Sequence, residues 1–203
     1  MTRCSYCNQP AWYQDRSTGD LLCPAHGRLE VRGPLDAGRR PEACALTIRP
    51  SSPDDKVAIL ESWSHFWNDN EMHCFGRNYQ AADLPALLAC DGDQVVGVLS
   101  YAIEREWEAI NMVVLHVLPG HQGQGGAAGL IAALEDEAGR LGIGRLIVAT
   151  SNDNPLALYF YQRLGFQITS VQVNTIEPDP SGEPFVGIGG LAVRDEIQLE
   201  KQV

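Results

Sequence analysis

The hydrophobic pattern divides the chain into three parts. Residues 1–30 are mostly polar, and residues 31–44 (VRGPLDAGRRPEAC) are rich in Gly, Pro and Arg and show no apolar periodicity. From residue 45 onward the apolar pattern continues to the C-terminus. Because such Gly- and Pro-rich stretches are typical of connecting segments, we predict a small module over 1–30, a linker over 31–44 and a main domain over 45–203.

The first half of the main domain predicts four strands and one helix. Short apolar runs indicate strands at 46–50, 84–90, 94–103 and 107–118. Residues 53–67 indicate a helix between the first two strands. The triplet Asp91-Gly92-Asp93 is a hairpin turn signal, so the strands on either side of it are predicted to pair with each other.

Helices and strands are predicted to alternate in the second half. A helix over 126–140 carries an apolar face made of Leu130, Leu134, Ala138 and Leu141. A second helix has Asn154 as its cap, Pro155 in its first turn and Gly165 just past its end. Strands are predicted at 144–150, 165–173 and 191–200. This order predicts an α/β (α+β) fold, in which helices flank a mixed, mostly antiparallel central sheet.

Composition and charge narrow the class of protein. A chain of 203 residues with 44% hydrophobic residues is long enough for one ordinary domain and a small accessory module. The net charge is -11 and only Lys56 and Lys201 are lysines, which argues against nucleic acid as a partner and suits a cationic small molecule. No signal-peptide pattern or membrane-length apolar run is visible, so we expect a cytoplasmic protein without a membrane partner.

A glycine-dense segment joins a predicted strand to a predicted helix at Val117–Ala128 (VLPGHQGQGGAA). Glycines let the backbone approach a ligand, and a helix N-terminus carries partial positive charge, so the segment predicts phosphate or pyrophosphate binding. The alternative is a tight turn that needs positive φ angles. A dinucleotide site would need an acidic residue after the next strand and a P-loop a lysine, and both are missing here.

Two motifs in this part of the chain resemble the GNAT superfamily of N-acetyltransferases. The first, Gln/Arg-x-x-Gly-x-Gly/Ala at a strand–helix junction, is matched by Gln122, Gly125 and Ala127. The second, Asn-x2-Ala-x3-Tyr-x3-Gly-Phe, is matched by Asn154, Ala157, Tyr161, Gly165 and Phe166. The resemblance covers about residues 45–203, and it implies the acyl-CoA N-acyltransferase fold.

The resemblance also implies a co-substrate and its binding residues. The expected reaction is direct attack of an amine on acetyl-CoA within a ternary complex. Backbone N–H groups expected at the pyrophosphate are those of Gln122, Gly123, Gln124, Gly125, Gly126 and Ala127. The pantetheine arm is expected along the strand edge of Leu115, His116 and Val117, and the thioester end near Asn154, Ala157 and Tyr161.

The catalytic residues are indicated less directly than the residues that bind acetyl-CoA. Tyr161 is the candidate acid for the departing thiolate, because a phenol with a pKa of about 10 can protonate a thiolate within reach; its helical spacing also suits a plain core tyrosine. Glu108 is the candidate base, with a solvated acidic turn as the alternative. Asn111 cannot abstract a proton, so a water relay to Glu108 or His116 is another option. Asp195 lies on the face of the predicted last strand that points inward. There it would either bind a cationic acceptor or mark a β-bulge.

The acceptor itself is not indicated by any motif. The resemblance implies that its pocket lies among residues 63–79, where core or lid packing is the alternative interpretation. Cys44, Cys74 and Cys90 have no visible partners in the sequence, so a covalent cysteine intermediate is not expected.

The predicted module over residues 1–30 contains cysteines and a histidine at the spacing of metal ligands. The pattern C-x2-C-x15-C-x2-H places two short-spaced ligand pairs, Cys4 with Cys7 and Cys23 with His26, around a predicted zinc-ribbon-type hairpin. Four protein ligands would close the site, so the zinc would be structural; stray thiols and a surface histidine are the alternative. The module would dock on the main domain, recruit a protein partner or support a homodimer.

Three functions are therefore compared. The leading one is an N-acetyltransferase acting on an amine of a small molecule or protein. The second is an acyl-CoA-binding sensor or scaffold with weak or no catalysis, in which the zinc module binds a partner. The third, a nucleotide-dependent enzyme, is disfavoured by the missing nucleotide-site residues.

Overall fold

A computed structural model describes residues 13–14, 21–22, 46–67, 69–178, 182–183 and 185–203, without the side chains of residues 13, 14, 21, 22 and 67. The predicted linker 31–44 lies outside these residues, as do the predicted zinc ligands Cys4, Cys7, Cys23 and His26. Within the described part, no helix is long and apolar enough to cross a membrane.

The described elements follow the predicted order. The helices are α1 (Lys56–Trp67), α2 (Gly126–Leu141) and α3 (Pro155–Arg163). The strands up to the glycine-dense segment are β1 (Tyr13–Gln14), β2 (Leu21–Leu22), β3 (Thr47–Pro50), β4 (Glu71–Cys74), β5 (Arg77–Gln80), β6 (Ala86–Asp91), β7 (Gln94–Glu104) and β8 (Ala109–Val117). The strands after it are β9 (Arg145–Ser151), β10 (Gln167–Gln172), β11 (Phe185–Val186), β12 (Ala192–Val193) and β13 (Glu196–Gln202).

Seven strands form the central sheet in the order β10-β13-β9-β8-β7-β6-β3. Every neighbouring pair is antiparallel except β8 with β9, which is parallel. A parallel pair needs a long crossover connection, and α2 provides it here. The predicted mixed, mostly antiparallel sheet flanked by helices is therefore confirmed.

The two faces of the sheet carry separate cores. On one face α2 buries its predicted stripe of Leu130, Leu134 and Ala138 against the sheet. On the other face α1 buries Trp63 completely, and its indole Nε1 donates to the Ser100 hydroxyl at 3.2 Å. We call these the α2 face and the α1 face.

The structure differs from the predicted elements in four places. Leu141 ends α2 and remains 41% exposed, so the apolar face is one turn shorter than predicted. The predicted last strand over 191–200 is broken into β12 and β13. Two short hairpins, β4–β5 and β11–β12, were not predicted. The strand is broken because the Asn152 amide oxygen accepts from the N–H groups of both Arg194 and Asp195, which removes these groups from a ladder.

The α2 face predicts a strong difference between two leucines of one helix. Leu134→Ala removes a side chain with 0% exposure, so it is expected to lower the free energy of unfolding by about 2–5 kcal/mol. Leu141→Ala, at the exposed end of the same helix, is the control and is expected to change it by less than about 0.5 kcal/mol. Urea unfolding followed by circular dichroism measures both; equal losses would contradict the described packing.

Candidate active site

The central sheet opens between its two parallel strands. The ladder joins Ile110–Met112 of β8 to Leu146–Val148 of β9, and in the described sheet it ends there. On the other side of β8, Ser100 pairs with Val114 whereas Tyr101 pairs with Met112, so Val113 is an extra residue. Such a β-bulge bends its strand. Beyond Val113 the two strands therefore leave a cleft, which we call the opening.

β9 does not lose its other neighbour at the opening. It stays paired with β13 along its whole length, from Arg145 opposite Gln202 to Ser151 opposite Glu196. The opening is thus a local gap inside a continuous sheet. Its two walls are the last residues of β8, including Leu115, His116 and Val117, and the end of β9.

The glycine-dense segment follows directly from the β8 wall. Gly123 and Gly125 have φ angles of 71° and 85°, in the left-handed region that favours glycine, and α2 begins at Gly126. The Gln122 amide Nε2 donates to the Val117 carbonyl oxygen at 3.0 Å, which holds the loop against the end of the strand. A Cβ on Gly126 would lie 3.0 Å from Leu46 Cδ1, so the helix start has little room for a larger residue.

This loop has the chemistry of an anion site. The first N–H groups of an α-helix have no partner within the helix, and the helix dipole places partial positive charge beside them. No acidic residue occurs between residues 118 and 134. The predicted residues Gln122, Gly123, Gln124, Gly125, Gly126 and Ala127 are therefore brought together at the mouth of the opening, around the start of α2.

His116 lies in the β8 wall with its side chain on the α1 face. Its Nε2 shares a short hydrogen bond with the Ser62 hydroxyl of α1, and its ring centroid is 4.3 Å from that of Phe66. Only 8% of the residue is exposed. Burial, with a smaller contribution from His65, lowers the pKa of His116 from 6.5 to about 4. The imidazole is therefore neutral at neutral pH.

The helix after β9 brings the second motif together. Asn154 caps α3, because its Oδ1 accepts from the Ala157 N–H at 3.0 Å. Tyr161 lies one further turn along, is 7% exposed, and packs its ring 5.4 Å from Phe160 and 5.5 Å from Phe166. Burial raises the pKa of the Tyr161 phenol above its usual value of 10. The phenol therefore carries its proton at neutral pH.

The loop between β9 and α3 also fixes the β11–β12 hairpin. Besides its bonds to Arg194 and Asp195, Asn152 donates through Nδ2 to the Ala192 carbonyl oxygen at 2.9 Å. Asp153 is buried, and a Cβ added to Gly187 would lie 2.0 Å from its Oδ2. Only glycine fits at this contact. The hairpin is therefore held against the loop that continues the β9 wall.

Two predicted residues lie away from the opening. Glu108 is exposed and precedes β8 at the end opposite the glycine loop; at about 3.4 Å per residue it lies roughly 17 Å from Val113. It lines a separate cavity of about 640 Å³ with residues such as Leu141 and Arg145. Asp195 accepts from the N–H of Asn174 at 2.9 Å and from its neighbour Arg194, and these bonds lower its pKa. It holds a turn.

The β4–β5 hairpin, which the sequence did not predict, lies on the α1 face within the expected acceptor region 63–79, and it contacts Glu196, a residue that the sequence did not single out. Its turn residues, Phe75 and Gly76, both have positive φ angles, 53° and 68°. Hairpin turns of this kind normally have Asn-Gly or Asp-Gly at these two positions. Because this turn has Phe-Gly, the sequence did not predict the hairpin. The hairpin places Cys74 against Asn111 and the Phe75 N–H against Glu196.

The predicted metal ligands lie outside the described residues. Within the described ones, no group of three or more His, Cys, Asp or Glu side chains is placed to hold a metal ion. The β1–β2 pair, with Tyr13 opposite Leu22, falls between the two predicted ligand pairs in the sequence.

Several known proteins are similar to this chain in sequence. The sequence profile described as the acetyltransferase (GNAT) family matches residues 56–166. An L-methionine sulfoximine/L-methionine sulfone acetyltransferase of Salmonella typhimurium is 29% identical over 140 residues, covering 62% of this chain and 82% of that protein. The L-amino acid N-acyltransferase MnaT of Escherichia coli is also 29% identical over 140 residues, covering 62% of this chain and 81% of that protein.

Solved structures give the same result for the fold. A GNAT family acetyltransferase from Elizabethkingia anophelis with acetyl-CoA bound has a TM-score of 0.59 and 21% identity, covering 78% of this chain and 99% of that one. A Bacillus subtilis acetyltransferase in complex with CoA has a TM-score of 0.57 and 18% identity, with the same coverage of 78% and 99%.

Buried His116 predicts a loss of stability in acid. Its pKa is about 4 in the folded protein and 6.5 when exposed, so the unfolded chain binds a proton first as pH falls between these values. The unfolding free energy is therefore expected to fall by about 2–3 kcal/mol between pH 7 and pH 4.5 from this group alone. Above about pH 7.5, one unit above the unfolded-state pKa, the contribution is constant.

Urea unfolding at several pH values measures this effect. The His116→Gln variant is expected to lose that part of the pH dependence, whereas His73→Gln, at an exposed position, is expected to keep the wild-type slope. An unfolding free energy that falls equally steeply in His116→Gln would contradict the assignment.

Proposed function

Because the chain belongs to the acetyltransferase (GNAT) family and is therefore an acyltransferase, we propose that it transfers an acetyl group from acetyl-CoA to an amine. The amine attacks directly, within a ternary complex of protein, acetyl-CoA and acceptor. The observation that carries this proposal is the opening between β8 and β9, which ends at the glycine-rich start of α2.

The opening and the loop suit the two chemically different parts of acetyl-CoA. Residues 122–127 offer backbone N–H groups at a helix N-terminus, which suits a pyrophosphate. The edge of Leu115, His116 and Val117 has lost its β9 partner, so it suits the amide groups of a pantetheine arm. Asn154, Ala157 and Tyr161 would lie at the thioester end. The Elizabethkingia and Bacillus proteins, which have this fold, bind acetyl-CoA and CoA.

The chemistry needs stabilisation of an oxyanion and a proton for the leaving group. A backbone N–H of the β8 wall would stabilise the tetrahedral oxyanion, as fixed donors do in a site that excludes water. As the carbon–sulfur bond breaks, the Tyr161 hydroxyl would donate its proton to the thiolate. Burial keeps the phenol protonated at neutral pH but also makes it a weaker acid, so the proposed role is supported by the position of Tyr161 in the second motif and not by its pKa.

The base is not assigned to Glu108. Its distance of roughly 17 Å from the bulge, at about 3.4 Å per strand residue, leaves it outside hydrogen-bond reach of any acceptor in the opening. Asn111, one strand position from the paired end of the opening, has no proton-accepting capacity at neutral pH. The lack of an assigned base favours the second candidate function, in which the protein binds acyl-CoA as a sensor or scaffold with weak or no catalysis.

For the front of the chain we propose a structural zinc module over residues 1–30, joined by the linker 31–44 to the transferase domain of residues 45–203. Cys4 and Cys7 would form one ligand pair, Cys23 and His26 the other. The spacing and the β1–β2 pair between them support this proposal. A closed four-ligand site would stabilise the fold of the module rather than take part in transfer. The module would then serve for docking or for binding a partner.

Release of free CoA thiol from acetyl-CoA in the presence of amines tests the transferase. Wild-type protein is expected to release thiol only with an acceptor, whereas a sensor would bind acetyl-CoA without release. Tyr161→Phe is expected to lower kcat about a hundredfold, at the lower end of the 10²–10⁴-fold effects typical of general acids, with KM for acetyl-CoA unchanged. Tyr159→Phe, the same change at an exposed position of α3, is the control. Undiminished kcat in Tyr161→Phe would remove Tyr161 from the mechanism.

The zinc module predicts a stoichiometric metal. Protein purified without chelator is expected to contain one zinc per chain, and double replacement of Cys4 and Cys23 by Ala is expected to abolish it, because two of four ligands are lost. Cys90→Ala, a buried cysteine of the main sheet, is the control and is expected to keep the metal. Elemental analysis by plasma mass spectrometry measures this; zinc far below one per chain in wild-type protein would refute the module.

A further inference from the structure

The central sheet ends at β10 with an exposed strand. β10 is the last strand in the sheet order and pairs only with β13 among the described strands. Five of its six residues are exposed, and its apolar residues Ile168 and Val171 are 48% and 52% exposed. An edge strand also presents unpaired backbone N–H and C=O groups along its outer side. β10 therefore offers both hydrogen-bonding groups and apolar surface to a partner.

The opposite edge of the same sheet is protected against such pairing. β3 has only four residues, contains Arg49 and ends at Pro50. Charged residues and proline on an edge strand oppose pairing with another chain. β10 lies instead in a stretch without any charged residue or proline, residues 164–176, although 20% of the chain is charged. Of the features that protect an edge, β10 has a β-bulge between Ile168 and Ser170.

The charges around this stretch favour a second copy of the chain as the partner. Because the net charge is -11, two copies repel each other unless they meet through an uncharged surface. Residues 164–176 provide such a surface. The first charged residues on either side are Arg163 and Glu177, which have opposite signs. Antiparallel pairing of two copies brings the start of one stretch towards the end of the other, so unlike charges approach at both ends.

The bulge places the two apolar residues of β10 on one face of the sheet. Ile168 pairs with Leu199 and Val171 with Ile197, and both of these partners belong to the core on the α2 face. Residues three positions apart normally lie on opposite faces of a strand, so the extra residue at the bulge is the cause. The two glutamines of β10 lie on the α1 face, since their partners alternate with the first two: Gln167 pairs with Glu200 and Gln172 with Glu196.

One register of antiparallel self-pairing matches both faces. A two-fold axis between Thr169 and Ser170 places Ile168 of one copy opposite Val171 of the other, and this contact occurs twice. The same axis places the two glutamines opposite each other. Side chains of directly opposite residues lie on the same face and contact each other. Apolar side chains therefore meet on the α2 face and amides on the α1 face, so β10 is complementary to itself.

We propose that two copies of the chain form a two-fold dimer through antiparallel pairing of their β10 strands, which joins the two seven-stranded sheets into one. The pairing bonds the outer backbone groups of both strands and covers Ile168 and Val171. Because β9 and β13 separate the opening from β10, the joined sheet does not cover it. The proposal goes beyond the transferase function and depends neither on it nor on the module over residues 1–30.

Light scattering after size-exclusion chromatography tests the dimer on the full chain. The wild-type protein is expected to have about twice the mass of one 22.2 kDa chain. Val171→Lys is expected to reduce the mass to that of one chain, because a lysine on an edge strand opposes pairing. Val57→Lys makes the same change at another exposed valine, on α1. It is the control and is expected to remain dimeric.

Three results would overturn the proposal. The first is a wild-type protein with the mass of one chain at every concentration, which would leave β10 to another occupant such as residues 1–45. The second is a dimer that persists in a Val171→Lys protein with a native circular-dichroism spectrum. The third is loss of the dimer on double replacement of Cys4 and Cys23 by Ala, which would assign the contact to the module. If Val171→Lys does not fold, Ile168→Lys, at the opposite position of the register, takes its place.

Oxidative cross-linking tests the register. Ile168→Cys and Val171→Cys proteins are mixed in equal amounts and incubated so that subunits exchange. The new thiols then lie opposite each other, at the Cβ separation of about 4.5–5.5 Å of cross-strand pairs, and a disulfide-linked dimer is expected. In either protein alone each new thiol lies opposite an unchanged residue, so no additional cross-link is expected. The six native cysteines are common to the three samples and give the background. Equal cross-linking in all three would overturn the proposed pairing.

Discussion

One extra residue in β8 is the constraint on which the site depends. Val113 has no partner in β7, and the parallel ladder to β9 ends at the residue before it. A bulge bends the strand that contains it, so the end of β8 leaves β9. β9 keeps β13 as its second neighbour, and the sheet therefore accommodates a cleft without dividing into two sheets. The glycine loop lies where the bent strand ends, so the cleft and the helix N-terminus meet.

The features that could be predicted from the sequence are those that depend on residues close together in the chain. Apolar spacing located the helices and main strands, because burial on one face imposes a period. Asn154 was predicted as a cap, and the glycine-dense segment as the link into α2, since both depend on a few adjacent residues. The bulge at Val113 depends on pairing between β7 and β8, which no run of neighbouring residues encodes, so the opening was expected only through the family resemblance.

The acidic residues were the hardest to place from the sequence alone. Glu108 and Asp195 were chosen from their position in predicted strands, but each lies just outside a strand, where alternation no longer determines direction. β13 begins one residue after Asp195, so Asp195 holds a turn, whereas Glu196 is the first residue of the strand and accepts from the Phe75 N–H. The break before β13 is made by Asn152, more than forty residues earlier in the chain. Only the folded arrangement brings these residues together.

The proposed acetyl-CoA side and the expected acceptor region differ in how far apart their residues lie in the chain, so only the first could be predicted from a motif. The proposed acetyl-CoA side uses backbone groups at a strand edge and a helix start, which need glycine and a fixed spacing and so leave a motif. The acceptor side leaves no motif, because residues 63–79, where the resemblance implies the pocket, meet β8 and β13 only in the folded chain: Cys74 contacts Asn111, and the Phe75 N–H donates to Glu196. These partners are 37 and 121 positions apart in the chain, so no local spacing marks them.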